Sequence, residues 1–325
     1  MNRPKIFITR KVPSYLIEPY EDRFQFRMWK EERTPIPINM LYEEALEADG
    51  LLCLLTERID EPFLEHAKHL SIIANMAVGY DNIDVAAAEK YDIVVTNTPD
   101  VLTETTADLT FALLMATARR LVESSNLIYQ NEWKEWSPFE LVGTDVFGKT
   151  IGIVGMGRIG TAVAQRAKGF NMNILYHNRS RNERAEEELQ AKYVSFDELL
   201  ESSDFVVSLL PLSEETEKKF NKEAFEKMKE TAYFINVSRG GVVDEEALYT
   251  ALKERKIKAA GLDVFTNEPI DTTHPFTTLD NVLLTPHIGS STKETREKMF
   301  TLCLENLDHY FHGDGALTPI TKNKK

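Results

Sequence analysis

The sequence predicts an α/β protein built as two doubly wound parallel-sheet domains. Three observations carry that expectation. Short apolar runs alternate with amphipathic stretches through the first hundred residues, the same alternation resumes near residue 150, and a helix-compatible run free of Gly and Pro separates the two series. Alternation of this kind implies a parallel sheet covered by helices. At 325 residues the chain is too long for one small core, so two domains are expected.

In the first series, "KIFIT", "GLLCLLT", "LSIIANM" and "DIVVT" read as buried strands. "NMLYEEALEA", "DEPFLEHAKHL" and "DVAAAEKY" read as helices with Asn39, Asp60 and Asp84 as N-caps. A short side-chain oxygen at that position accepts from N–H groups that the first turn leaves unpaired. Residues 103–130 then predict one long helix, with a break at "NEWKEWSPFELVG". In the second series, "TIGIVG", "MNILYH", "DFVVSLL", "AYFINV", "IKAAGLDV" and "NVLLTP" are the strands. Ser195, three residues ahead of Glu198, forms a capping box for one intervening helix. A last helix is expected over residues 290–311, before a polar tail.

Bulk properties exclude several roles. The net charge of −14 would on average repel a phosphate backbone, so no nucleic-acid partner is expected. Cys53 and Cys303 lie far apart in apolar surroundings, with neither disulfide nor metal spacing, which suits buried thiols in a reducing compartment. The N-terminal apolar run is too short for a signal peptide, and stretches such as "FALLMATA" are too short for a membrane span. A cytoplasmic protein with no membrane partner is expected. His66/His69 and His309/His312 have helical spacing but no third ligand, so no metal site is expected.

The first chemical motif is Gly155-Met156-Gly157-Arg158-Ile159-Gly160, which follows the strand "TIGIV" and opens the helix "RIGTAVAQRAKGF". In that context the glycines have separate uses: a tight turn, close approach of a pyrophosphate, and close helix–strand packing. The helix start offers unpaired N–H groups to the anion. About twenty residues on, a protein selective for NAD would place an acid to accept from the ribose 2′-hydroxyl. The segment "NILYHNRSR" has Asn178, Arg179, Ser180 and Arg181 instead. Two guanidinium forks and a hydroxyl suit the 2′-phosphate of NADP(H). NADP(H) is therefore the expected cofactor, and NAD(H) stays open, since solvated loop arginines would leave the two comparable.

Three further stretches place polar groups after strands. "INVSRGGVVDEEAL" carries Arg239 ahead of a helix N-cap at Asp244, "AAGLDVFTNEP" carries Asp263 and Glu268, and "LLTPHIGSST" carries His287. The carboxyl ends of parallel strands are where α/β proteins bind ligands. An imidazole beside a carboxylate can deliver a proton near neutral pH, and a guanidinium can stabilise a developing oxyanion.

In order and content these motifs, with "AVGYDNID" and "TNTPDVLTETTADLTFALL" upstream, resemble the D-isomer-specific 2-hydroxyacid dehydrogenases, closest to the glyoxylate/hydroxypyruvate reductase and 2-ketogluconate reductase branch. The resemblance spans nearly the whole chain. It implies a Rossmann cofactor domain, 104–286, inserted in a flavodoxin-like substrate domain of 1–103 and 287–325. It implies that Arg239 binds the substrate carboxylate and keto oxygen, that Glu268 pairs with His287, and that His287 is the acid/base. Leu55, Val78 and Gly79 would contact substrate, and Thr106, Arg158, Ile159, Pro211, Val237 and Asp263 would line the cofactor. Trp136 would reach a neighbouring subunit of a homodimer.

The implied reaction is reduction of a small 2-keto acid to the D-2-hydroxy acid. Glyoxylate, hydroxypyruvate and 2-ketogluconate share the head these residues would read, and differ in a tail the sequence does not size. Two other readings remain at this stage: a dinucleotide-sensing interaction protein of the corepressor type, and a short phosphoglycerate dehydrogenase. Formate dehydrogenases, with Gln where Glu268 stands, fit less well.

Overall fold

A computed structural model describes residues 3–321. The chain divides into two compact units, one of residues up to Leu102 together with those from Ser291 on, the other Thr103–Ser290. The second border falls after residue 290, not 286, so His287 belongs to the second unit.

The first unit has five parallel strands: β1 (Lys5–Ile8), β2 (Gln25–Met28), β3 (Gly50–Cys53), β4 (Ile72–Asn75) and β5 (Val94–Thr96), in the order β2-β1-β3-β4-β5. Register places Phe7, Leu51, Ile73 and Val95 in one row across the sheet. That row packs with Leu41 and Ala45 of α1 (Ile38–Glu47), Phe63 and Leu64 of α2 (Glu61–His66), and Ala87 and Ala88 of α3 (Val85–Lys90). β3 and β4 are buried along their whole length, as strands covered on both faces must be.

Asp60 and Asp84 cap as expected, accepting from Phe63 N (3.2 Å) and Ala87 N (2.9 Å). Asn39 does not. α1 starts at Ile38, directly after Pro37, whose φ of −58° ends the extended approach and leaves Asn39 inside the first turn. β2 escaped the sequence reading because it is an edge strand with alternating exposure and no continuous apolar run.

The second unit starts with α4 (Thr103–Ala118) and α5 (Leu121–Tyr129). The single helix expected over 103–130 is therefore broken. Arg120 adopts φ 53°, and the carbonyl of Ala118, which a continuing helix would use, accepts from Thr144 N at 2.9 Å. The returning chain takes the bond that propagation needs.

Next come β6 (Thr150–Val154), α6 (Arg158–Gly169), β7 (Asn173–His177), α7 (Glu183–Leu189), β8 (Lys192–Tyr193), α8 (Phe196–Ser202) and β9 (Phe205–Ser208). α9 (Lys222–Lys227), β10 (Tyr233–Asn236), α10 (Glu245–Lys253), β11 (Ala259–Leu262) and β12 (Val282–Leu284) complete the unit. The order is β12-β11-β10-β9-β6-β7-β8, with every pairing parallel. Chain order reverses between β6 and β9, and such a switch point opens a crevice at the carboxyl ends of the strands. β8, a two-residue edge strand, had no readable pattern in the sequence.

Ser195 accepts from Glu198 N at 3.1 Å, but Glu198 turns to Lys192 instead of closing the box. Finally, α11 (Lys293–His312) returns to the first unit, capped by Thr292, so it starts three residues later than expected. Its Leu307 packs beside Gly50 and Ile6, on the sheet face opposite α1–α3. Both cysteines are buried. Among the described residues, no helix is long and apolar enough to cross a membrane.

Candidate active site

The switch point is occupied by the glycine-rich turn. Gly155 has φ 106°, and a side chain there would lie 2.7 Å from Leu209 O, so only glycine suits the position. Gly157 is the N-cap of α6 without a capping side chain. A Cβ there would meet nothing within 4 Å, which leaves open space against the N–H groups of α6. An anionic pyrophosphate fits that space. Arg158 and Ile159 form the first turn of α6 and Gly160 is buried beneath it.

The loop after β7 is anchored to this turn. Asn182 donates through Nδ2 to Met156 O (3.0 Å) and accepts from Ala185 N (3.1 Å), capping α7. Asn178 holds Tyr193 through its carbonyl (3.2 Å). Ser180 is exposed, and the Arg179 side chain is 92% exposed, 3.7 Å from Glu215. The Arg181 side chain is 62% exposed and paired with an acid. Its Nε donates to Glu186 Oε1 at 3.0 Å and its Nη2 to Glu186 Oε2. Arg181 first, and then a hydrogen bond from Tyr176, hold the Glu186 carboxyl down at about 2.

The three groups after β10, β11 and β12 converge. A Cβ on Gly240 would lie 1.9 Å from the carbonyl carbon of Phe265. That close approach brings the turn carrying Arg239 against the loop carrying Glu268. The buried Asn236 donates to Arg239 O (2.9 Å) and accepts from Ser238 N (3.1 Å), which fixes the turn. Glu268 accepts from Phe265 N through Oε1 (2.9 Å) and meets His287 Nδ1 through Oε2 (2.7 Å). Burial alone would raise the Glu268 carboxyl; the His287 hydrogen bond and the nearby charges of His287 and Arg239 outweigh it and hold it below its ordinary value.

His287 has φ 52°, and Asp263 is what holds it there. The Asp263 carbonyl accepts from His287 N (2.9 Å). Its carboxylate accepts from Thr285 Oγ1 (2.7 Å), Ile288 N (2.8 Å) and Gly289 N (2.9 Å). Burial pushes the Asp263 carboxyl up against these bonds. Thr106, Val237 and Asp263 all approach Gly289, within 3.4–3.6 Å of where its Cβ would sit. Pro211 is exposed after β9, its carbonyl accepting from Thr216 Oγ1 (2.6 Å).

In the first unit, Leu55, Val78 and Gly79 are half-buried in the turns after β3 and β4. Asn97 and Asn75 donate to the carbonyls of Val78 (2.8 Å) and Gly79 (3.0 Å), fixing the orientation of those peptides. Buried Glu57 holds the other turn, accepting from Leu54 N (2.7 Å) and Thr9 Oγ1 (2.6 Å). Among the described residues, no group of three His, Cys, Asp or Glu could hold a metal ion.

The model of the "D-isomer specific 2-hydroxyacid dehydrogenase, NAD binding domain" matches residues 111–289. The chain belongs to the D-isomer specific 2-hydroxyacid dehydrogenase family. It is an enzyme, an oxidoreductase of that family with an NAD-binding domain. It is 50% identical over 324 residues to the glyoxylate reductases of Pyrococcus horikoshii and Pyrococcus furiosus, covering 98% of this chain and 96% of each relative.

Among solved structures of this fold, the TT0316 protein of Thermus thermophilus is 39% identical with a TM-score of 0.91, covering 98% of this chain and all of that one. The NADPH-dependent glyoxylate/hydroxypyruvate reductase of Sinorhizobium meliloti, in complex with NADP and malonate, is 33% identical with a TM-score of 0.84, covering 98% and 97%.

Sequence reasoning missed Glu186, Asn182, Tyr176, Asn236, Asn75, Asn97 and Glu57. For Asn236 a signal existed, a polar residue ending the apolar run "AYFIN". For Glu186, in the acidic run "ERAEEEL", there was none.

Proposed function

We propose that this dehydrogenase reduces glyoxylate to glycolate and hydroxypyruvate to D-glycerate with NADPH, in the cytoplasm. One observation carries the reading: Glu268 is bonded to His287 at 2.7 Å while the charge of Arg239 acts on the same carboxylate. The pair supports reading His287 as the proton donor and Arg239 as the oxyanion stabiliser, in the unit that carries the glycine-rich turn.

The bound dinucleotide supplies the hydride. Arg239 takes the substrate carboxylate and keto oxygen, and stabilises the negative charge that grows on that oxygen. With Nδ1 committed to Glu268, His287 delivers its proton through Nε2. Glu268 fixes the ring and balances the charge of the protonated imidazole. Asp263 sets the peptide of His287 and leaves its second carboxylate edge toward the cofactor residues around Gly289. In the first unit, the N–H groups of Val78 and Gly79, and the apolar side chain of Leu55, are the substrate contacts that this reading assigns.

Support for NADPH comes from the loop after β7, which has no acid at 178–181 and two guanidinium groups. The named relatives support glyoxylate as substrate, and 2-ketogluconate belongs in the test panel. Support for a homodimer comes from the surface: of fourteen exposed large apolar side chains among the described residues, nine lie between Leu121 and Phe147, including Trp133 and Trp136.

The test is a panel of 2-keto acids assayed with NADPH and with NADH, on wild type and His287→Gln. The variant is expected to lose about 10²–10⁴-fold in kcat, the scale of a positioned acid, with NADPH affinity nearly intact. Near-normal turnover in the variant, or no turnover of any keto acid by wild type, overturns the proposal.

A further inference from the structure

We infer that Glu186 sets how strongly this enzyme discriminates between the two dinucleotides, by sharing Arg181 with the phosphate that distinguishes them. The inference rests on the reading of the loop after β7 as a 2′-phosphate site.

Glu186 lies in the first turn of α7 with its side chain 20% exposed. It grips the side edge of Arg181, through Nε and Nη2. Tyr176, fully buried at the end of β7, donates its hydroxyl to Glu186 Oε1 at 2.6 Å. Asn182 N donates to that same hydroxyl at 2.7 Å. The carboxylate is therefore held from the core side by a phenol that cannot swing away, and Glu186 stays on Arg181 whatever binds outside. Its carboxyl, held down at about 2, keeps its charge throughout the neutral range.

A guanidinium has five N–H groups. Two are taken by Glu186, and three remain on Nη1 and the outer edge of Nη2, the edge that a phosphate can approach. Arg181 can thus hold both partners at once, and the incoming phosphate meets a guanidinium already balanced by a carboxylate. The surroundings do not restore the lost attraction. Arg184 is engaged by Glu188 at 2.8 Å, and Arg179 lies 3.7 Å from Glu215. A 2′-hydroxyl, being neutral, is nearly indifferent to this balance. The arrangement thus moderates the preference for NADPH and keeps NADH usable. Glu186 is a specificity-determining residue acting through Arg181.

The test is Glu186→Gln, which keeps an oxygen for Arg181 and for Tyr176 but removes the charge. The KM for NADPH is expected to fall about two- to fivefold, the scale of one exposed ion pair. KM for NADH and both kcat values should stay within about twofold, and the gain should shrink as salt screens the charges. In an Arg181→Ala background the same substitution should do nothing, because the two residues act as a pair. An unchanged or raised KM for NADPH, or an equal gain for both dinucleotides, overturns the inference.

The two layers separate cleanly. Weaker NADPH binding in Arg181→Ala, with no gain in Glu186→Gln, leaves the phosphate site standing and removes Glu186 from it. No effect of Arg181→Ala on NADPH removes the phosphate site and the inference together.

Discussion

Glu268 has a pH signature. Its carboxyl is held below the ordinary value of 4.5, so the folded state binds its proton less readily than the unfolded chain. Such a group contributes stability that is fully present above its unfolded pKa and is lost as pH falls through the depressed folded value. The difference in unfolding free energy between wild type and Glu268→Gln is therefore expected to move against wild type as pH drops below about 4.5. Urea titrations of both proteins from pH 7 to pH 3 check this; a difference that is flat or grows on acidification contradicts it. At this scale Arg239, Glu268 and His287 were legible because each follows an apolar run within a distinctive set of neighbours. Glu186 was not, because a glutamate in an acidic helical segment looks like any solvated charge until the chain folds its partner back across a turn.

Elements were read well wherever burial imposes a period or a run. Every strand covered on both faces stood out in the sequence; the edge strands β2 and β8 did not, because an edge needs neither continuous apolarity nor length. Helix ends were read when an Asp or Ser sits at the cap and misread when backbone geometry decides, as at Pro37 and Arg120. The 3₁₀ turn after Arg239 shows how tightly elements are set against each other here. A methyl group on Gly240 would overlap the Phe265 carbonyl, and neither backbone can retreat without moving Arg239 or Glu268. Gly240→Ala is expected to cost about 1–3 kcal/mol of stability, typical of overpacking, and to lower kcat as well. Denaturant melts together with turnover check both effects; unchanged values would show that the approach is looser than described.

At the scale of the molecule, strand–helix alternation given twice was enough to predict two parallel-sheet units, since a strand apolar on both faces has few other homes. The segment between α5 and β6 was legible only as a break, and the exposure of its apolar side chains was not, because exposure cannot be read from hydrophobicity alone. With a second copy of the chain as its cover, the protein is expected to sediment as a dimer. Replacing both Tyr129 and Trp136 by Glu should cost about 4 kcal/mol if both are anchors, raising the dimer Kd about a thousandfold. Analytical ultracentrifugation across a dilution series checks it; an unaltered dimer would place the contact elsewhere.

His287 lies three residues inside the border of its unit, so the imidazole, both its charged companions and the dinucleotide turn form one heritable block. On the roles proposed above, substitutions in the turns after β3 and β4 are expected to change keto-acid preference while leaving the pH dependence of turnover as it is.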